Sequence, residues 1–169
     1  SFGRPDLRAK WQEMIKTKNT ALSNDISLPV VTNALTHGLS MLAYMFVDPG
    51  DSIITSDLYW GNYNLIFKNA YDANIDTYQF FEGDRMNLTS LKEKLTAGGP
   101  QKRILLLNFP NNPSGYTPTV EEVKSIVKII KEAAEAGNKI VVWCDDAYFG
   151  LVYEEGIERE SIFAYLANI

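Results

Sequence analysis

Apolar positions recur at two alternating spacings along the chain. Leu7, Trp11, Met14 and Ile15, with Lys18, fall at helical spacing, so residues 7–18 are predicted to form an amphipathic helix. Residues 27–32 read as a short strand and residues 36–46 as an apolar helix. Asp48-Pro49-Gly50-Asp51 is a turn, because proline fixes φ and glycine accepts positive φ. Residues 53–56 are strand-like, 62–70 helical, 75–81 alternate as a strand, and 88–95 form a helix with Asn87 as its N-cap.

The second half is more sharply patterned. Residues 103–109 make a continuous apolar run, as expected of a strand covered on both faces. Thr119-Val120-Glu121-Glu122 is a capping box, and the helix it opens carries Val123, Ile126, Val127, Ile130 and Ala134 on one stripe. Gly137 stops that helix, and residues 139–144 form another buried strand ending on Asp145-Asp146. About five strands alternating with helices predict an α/β fold: a mainly parallel sheet with helices on both faces. Residues 161–169 open an apolar helical pattern that stops without a cap, an ending expected of a truncated domain.

Composition narrows the class. A chain of 169 residues is the size of one domain, and 46% hydrophobic with 22% charged residues is ordinary for a globular protein. No apolar run reaches the roughly 20 residues that span a membrane, and no signal sequence opens the chain. The net charge of −5, with dispersed lysines and arginines, argues against nucleic acid as a partner. Cys144 is the sole cysteine, which fits a reducing, cytoplasmic home.

In open α/β sheets ligands bind beyond the carboxyl ends of the strands. Three segments there carry polar or small residues: 33–38, 108–115 and 145–148. The first is an anion site or simply a helix start capped by Asn33 or Thr36. In the second, turn chemistry accounts for Pro113 and Gly115 but does not require Asn112, whose amide can donate to a phenolate-like oxygen. In the third, Asp145 ends an apolar strand, where burial disfavours its charge unless a cation is near, and Tyr148 follows within reach. A turn-capping aspartate is the other reading.

These residues resemble a known family. The runs NFPNNPSG (108–115) and CDDAYFG (144–150) look like the internal signatures of class I/II aminotransferases, fold-type I enzymes that use pyridoxal 5'-phosphate (PLP). Gly3–Arg8, Val31-Thr32-Asn33 with Gly38-Leu39, Asp48–Asp51 and Tyr59–Tyr63 fall in the family's order, so the match runs from about Gly3 to Glu155. The resemblance implies that residues 1–169 are part of a PLP-binding large domain, without its C-terminal part or the small domain. Asp145 would pair with the pyridine nitrogen of PLP. Tyr148 and Asn112 would hydrogen-bond its 3-oxygen, with Asn112 also near the substrate carboxylate. Trp60 would stack on the ring, and Ala34, Leu35 and Thr36 would cradle the phosphate.

The sequence departs from the family at Ala34, where glycine or serine is usual, and at Leu58, where proline is common. Trp60 stands where many members have tyrosine. The Schiff-base lysine, the arginine beside it and the arginine that grips the substrate carboxylate come later in the family's order than Ile169. No catalytic residue is therefore expected here. The chain alone is expected to be inactive and to hold PLP weakly or not at all. The parent would act on an amino acid and a 2-oxo acid, as a homodimer. A fold-type I C–S lyase or synthase, and a non-catalytic α/β ligand-binding module, are the alternatives. The module lacks either glycine-rich nucleotide loop.

The remaining candidates have plainer readings. His37 stands at a helix start with no base partner or metal companion, so a structural role is expected, and no metal site. Cys144 reads as a small buried hydrophobe. Asp146 is expected to point away from Asp145. Tyr59, Tyr63 and Phe67 read as packing.

Overall fold

The computed structural model describes residues 2–169. Helix α1 (Pro5–Lys18) has proline in its first turn, where a missing N–H loses no helical bond, and buries no residue. Helix α2 (Ala34–Phe46) buries Leu39 and Ala43. Strand β1 (Ser52–Ser56), a π-helical turn at Asn64–Asn69 and strand β2 (Asn74–Tyr78) follow. A small antiparallel hairpin, β3 (Phe81–Glu82) and β4 (Arg85–Met86), leads into α3 (Leu88–Thr96), which Asn87 caps by accepting from the Ser90 N–H. Strand β5 (Lys102–Asn108), helix α4 (Val120–Glu135), strand β6 (Lys139–Asp145) and the short α5 (Ile162–Leu166) complete the order.

The four longer strands form one parallel sheet in the order β2-β1-β5-β6. Side chains alternate across it. Ile54, Leu105 and Leu107 pack with Leu91, Leu95, Val123, Ile126 and Ile130 on one face. Ile53, Ile104, Leu106 and Trp143 pack with Leu39, Ala43, Ile66 and Phe67 on the other. This explains the unbroken apolar run of β5: both faces are covered, so neither set of alternate positions can be polar. Each fully buried leucine or isoleucine contributes roughly 1.5–3 kcal/mol.

The sequence pattern misplaces two elements. Residues 27–32 are not a strand. Their one backbone bond of this kind runs from the Val31 N–H to the Phe2 carbonyl at 3.0 Å. The Ile26 and Pro29 carbonyls are taken by the Gln12 and Arg8 side chains of α1. Pro29 has no N–H to offer a ladder, and Gly3, at φ 101, lets Val31 approach where a Cβ would collide. The sheet thus has four strands rather than five. The expected strand at 75–81 ends at Tyr78, because the Gln79 and Phe80 N–H groups turn to Ser90 Oγ and Asp57 Oδ1. The expected helix at 62–70 is present, and it is π-helical over Asn64–Asn69. Among the described residues no helix is long and apolar enough to cross a membrane.

The capping box at α4 is present and does more than cap. Glu122 accepts from the Thr119 N–H (2.8 Å), the Tyr116 hydroxyl (2.8 and 2.9 Å) and the Met86 N–H (3.3 Å). It thereby ties β4 and the loop after β5 to the start of α4. Burial, together with Glu122, pushes the Tyr116 hydroxyl up to about 12. Glu122→Ala leaves these donors unpaired and is expected to lower stability by roughly 2–4 kcal/mol, with Glu122→Gln costing less. Urea unfolding of the intact protein checks this, and equal midpoints for all three proteins would refute it.

Candidate functional site

The strand order reverses between β1 and β5. β1 continues to β2 on one side, and β5 continues through α4 to β6 on the other. Parallel strands that part in this way leave a crevice beyond their carboxyl ends. Residues 57–63 enter it after β1, 109–116 after β5 and 145–148 at the end of β6. α2 joins β1 through residues 47–51, and its 13 residues span about 20 Å.

Asp145 is the last residue of β6 and is 4% exposed. Its Oδ1 accepts from the Ala147 N–H at 3.1 Å and its Oδ2 from the Tyr63 hydroxyl at 2.5 Å. Both donors are neutral, and no lysine, arginine or histidine among the described residues forms an ion pair with it. A buried carboxylate in that position favours a cationic partner.

Asn108, opposite Asp145 in the β5–β6 register, joins the two loops. Its amide donates to the Asp145 carbonyl (2.9 Å) and accepts from the Asn112 N–H (2.7 Å). Asn111 shapes the turn. Its amide donates to the Leu58 carbonyl and accepts from the Ser114 N–H, and its N–H bonds the Tyr116 carbonyl. That leaves the Asn112 side chain facing outward, 3.5 Å from the Tyr148 hydroxyl. Trp60 meets Tyr63 edge-on, with ring centroids 5.7 Å apart. Trp60, Asp145, Asn112 and Tyr148 are therefore linked through Tyr63 and Asn108.

Ala34, Leu35 and Thr36 share no hydrogen bond with that group. They form the exposed first turn of α2, where Asn33 makes no side-chain cap. Ala34 has φ 66, a left-handed conformation that costs an alanine energy. Thr32 Oγ1 bonds the Ala34 carbonyl, and His37 Nδ1 accepts from the Asn33 N–H at 3.0 Å. His37 thus has the structural role expected of it. The N–H groups of residues 34–36 find no acceptor among the described residues.

Tyr63 is the residue that the sequence pattern assigned to packing alone. It does pack, stacked with Tyr59 and tilted on Phe67. A tyrosine at a fully apolar helix position must still place its hydroxyl, and that was the signal available. Asp146 points away from Asp145, as expected, and accepts from the Ser161 hydroxyl at 2.7 Å. Burial raises the Cys144 thiol far above its ordinary value, which suits a packing role.

Sheet order and strand ends together define an open parallel α/β domain with a buried acid at the carboxyl end of β6. The family model for aminotransferase class I and II matches residues 1–167, and the chain belongs to that family. It is 25% identical over 158 residues to an aspartate aminotransferase of Sulfolobus acidocaldarius, covering 91% of this chain and 37% of that protein. A crystal structure of an aminotransferase from Anaerococcus prevotii superposes with TM-score 0.84 at 27% identity, over 99% of this chain and 41% of that one. Cystalysin from Treponema denticola, whose crystal structure contains a pyridoxal 5'-phosphate cofactor, shares the fold at TM-score 0.76 and 18% identity, over 98% of this chain and 41% of that one. The chain spans between 37% and 41% of the length of these relatives.

Asp146 makes a separate, measurable contribution. Burial raises its carboxyl from 3.8 to about 6, opposed by the Ser161 hydrogen bond and aided by the Asp145 charge. The folded state therefore holds this proton more tightly than the unfolded chain does. The stability it adds is full below pH 3.8, falls as pH rises to about 6, and is then flat. Asp146→Asn is expected to remove that slope and to stabilise the protein at neutral pH by roughly 2–3 kcal/mol. Unfolding midpoints across this pH window test it, and parallel profiles for the two proteins would refute it.

Proposed function

We propose that the intact protein holds PLP in this crevice and transfers an amino group between an amino acid and a 2-oxo acid. The single observation that carries the proposal is Asp145, a buried carboxylate at a strand's carboxyl end with two neutral donors and, among the described residues, no cationic partner. The donor chemistry fits PLP. A protonated pyridine nitrogen supplies the positive partner that Asp145 lacks. Asn112 and Tyr148 stand side by side as hydrogen-bond donors for a phenolate-type oxygen. The unfilled N–H groups at the start of α2 suit a phosphate.

When bound, PLP supplies an electron sink for the negative charge that develops on the substrate. The protein's own residues fix that sink. Asp145 would pair with the protonated pyridine nitrogen. Asn112 and Tyr148 would hold the ring oxygen, and Asn112 would also meet the substrate carboxylate. Trp60 would stack on the ring, and Ala34, Leu35 and Thr36, with the Thr36 hydroxyl, would take the phosphate.

Residues 33–36, 57–63, 79–80, 109–118 and 146–161 contain no lysine. We therefore expect the 169-residue chain to show no turnover by itself. The exposed apolar residues of α2, including Tyr44 at 72% and Met45 at 67%, with Leu65 nearby in sequence order, support a homodimer. A cytoplasmic location accords with the lone, reduced Cys144.

The test uses the intact protein. Wild type is expected to bind PLP, seen in its visible absorption, and to turn over with an amino acid and 2-oxo acid pair. Asp145→Asn is expected to lower kcat on the order of 10²–10³-fold, because the charge stabilisation at the nitrogen is lost. A wild-type protein that binds no PLP, or an Asp145→Asn variant with unchanged binding and rate, would sink the proposal.

A further inference from the structure

Tyr63 is 1% exposed, and its ring is held on three sides by Tyr59, Trp60 and Phe67. Phenylalanine would fill the same space. The hydroxyl is what packing does not explain, and its partner is Asp145 Oδ2 at 2.5 Å. Burial, the charge of Asp145 and this hydrogen bond all raise the hydroxyl far above the ordinary phenol value. Tyr63 is therefore protonated under any working condition and can only donate to the carboxylate.

We propose that Tyr63 is a positioning residue, whose donated hydrogen bond orients the Asp145 carboxylate towards the crevice. This rests on the PLP reading of the crevice given above. With Oδ2 held by Tyr63 and Oδ1 by the Ala147 N–H, the carboxylate has one orientation, and its remaining lone pairs are free for the pyridine N–H. A charge-assisted bond of this kind disperses the negative charge and opposes protonation. The titratable group in contact with Asp145 is Tyr63, from the segment after β1, while Asp146, the residue after β6, points away and acts on it only through its charge. Asn108, from β5, is a neutral amide that bonds its backbone carbonyl.

Loss of the Tyr63 hydroxyl should therefore weaken PLP binding, and the pH dependence of that binding should follow the strength of the donor at position 63. The experiment measures the equilibrium binding of PLP to the intact apo-protein from neutral pH into acid. The proteins compared are wild type, Tyr63→Phe, 3-fluorotyrosine at position 63, and Asp145→Asn. The comparison is repeated on an Asp146→Asn background to remove the neighbouring titration.

Tyr63→Phe is expected to bind roughly tenfold more weakly than wild type on the acid side and to converge with it towards neutrality. Fluorotyrosine, the stronger donor, is expected to shift the acid limb the opposite way, a sign that packing alone does not produce. Acid limbs that coincide for tyrosine, phenylalanine and fluorotyrosine would overturn the inference. Should the phenylalanine variant fail to fold, the fluorotyrosine arm decides by itself. Asp145→Asn separates the two ideas. If it binds PLP like wild type, the cofactor reading is wrong. If it binds weakly while the Tyr63 proteins do not differ, only the role of Tyr63 is wrong.

Discussion

The amide of Asn108 is the interaction on which the crevice depends. It closes the carboxyl end of the β5–β6 pair by donating to the Asp145 carbonyl and accepting from the Asn112 N–H. Both loops that carry candidate ligands are thus referred to one buried side chain. The parallel register, which sets Asn108 opposite Asp145, makes this possible. A slip of one residue would move the inward residues of β6 to the other face, separating Trp143 from its core and Asp145 from Tyr63. The apolar core under the crevice therefore fixes the polar geometry above it.

That register also explains how adjacent carboxylates acquire different environments. Asp145 and Asp146 stand on opposite sides of an extended chain. The first meets two donors and faces the crevice, and the second meets the Ser161 hydroxyl under the loop before α5. Burial holds the second carboxyl up near 6, and its neighbour's charge adds to the effect. Adjacent acids can therefore have different hydrogen-bond partners, because the extended chain sends their side chains to opposite sides.

Much of this was legible in the sequence, and the parts that were not share a physical cause. β5 and β6 declared themselves as apolar runs because both sheet faces are covered, and Asn87 and Thr119–Glu122 declared helix starts because a cap is a local interaction. The family resemblance brought Asp145, Asn112, Tyr148 and Trp60 forward as a group, and the structure links these through Tyr63 and Asn108. Residues 27–32 misled because β-type composition describes a side chain's fit to a pleated surface, not whether a neighbouring strand exists. Here α1 side chains take the available carbonyls. Tyr63 was missed for a related reason: its helical spacing reports the ring, while its hydroxyl bonds a residue 82 positions away. Long-range hydrogen bonds leave no periodicity.

The sequence marks the family more clearly than it marks any substrate, and the fold gives a reason. This chain keeps a TM-score of 0.84 to an aminotransferase with which it shares 27% identity. A sheet core tolerates extensive exchange of apolar residues when volume and pattern are kept, so the crevice can persist while most residues change. What the crevice needs locally is narrow: an acid at the end of β6, an amide after β5, an aromatic after β1 and a bare helix start. Each sits on the end of a strand or helix and is fixed by the core or by backbone bonds, whereas selection among amino acids depends on groups that meet the variable side chain of the substrate. The residues proposed for PLP would address the cofactor's ring, its oxygen and its phosphate, which stay the same whatever the substrate, and so they would not select among amino acids.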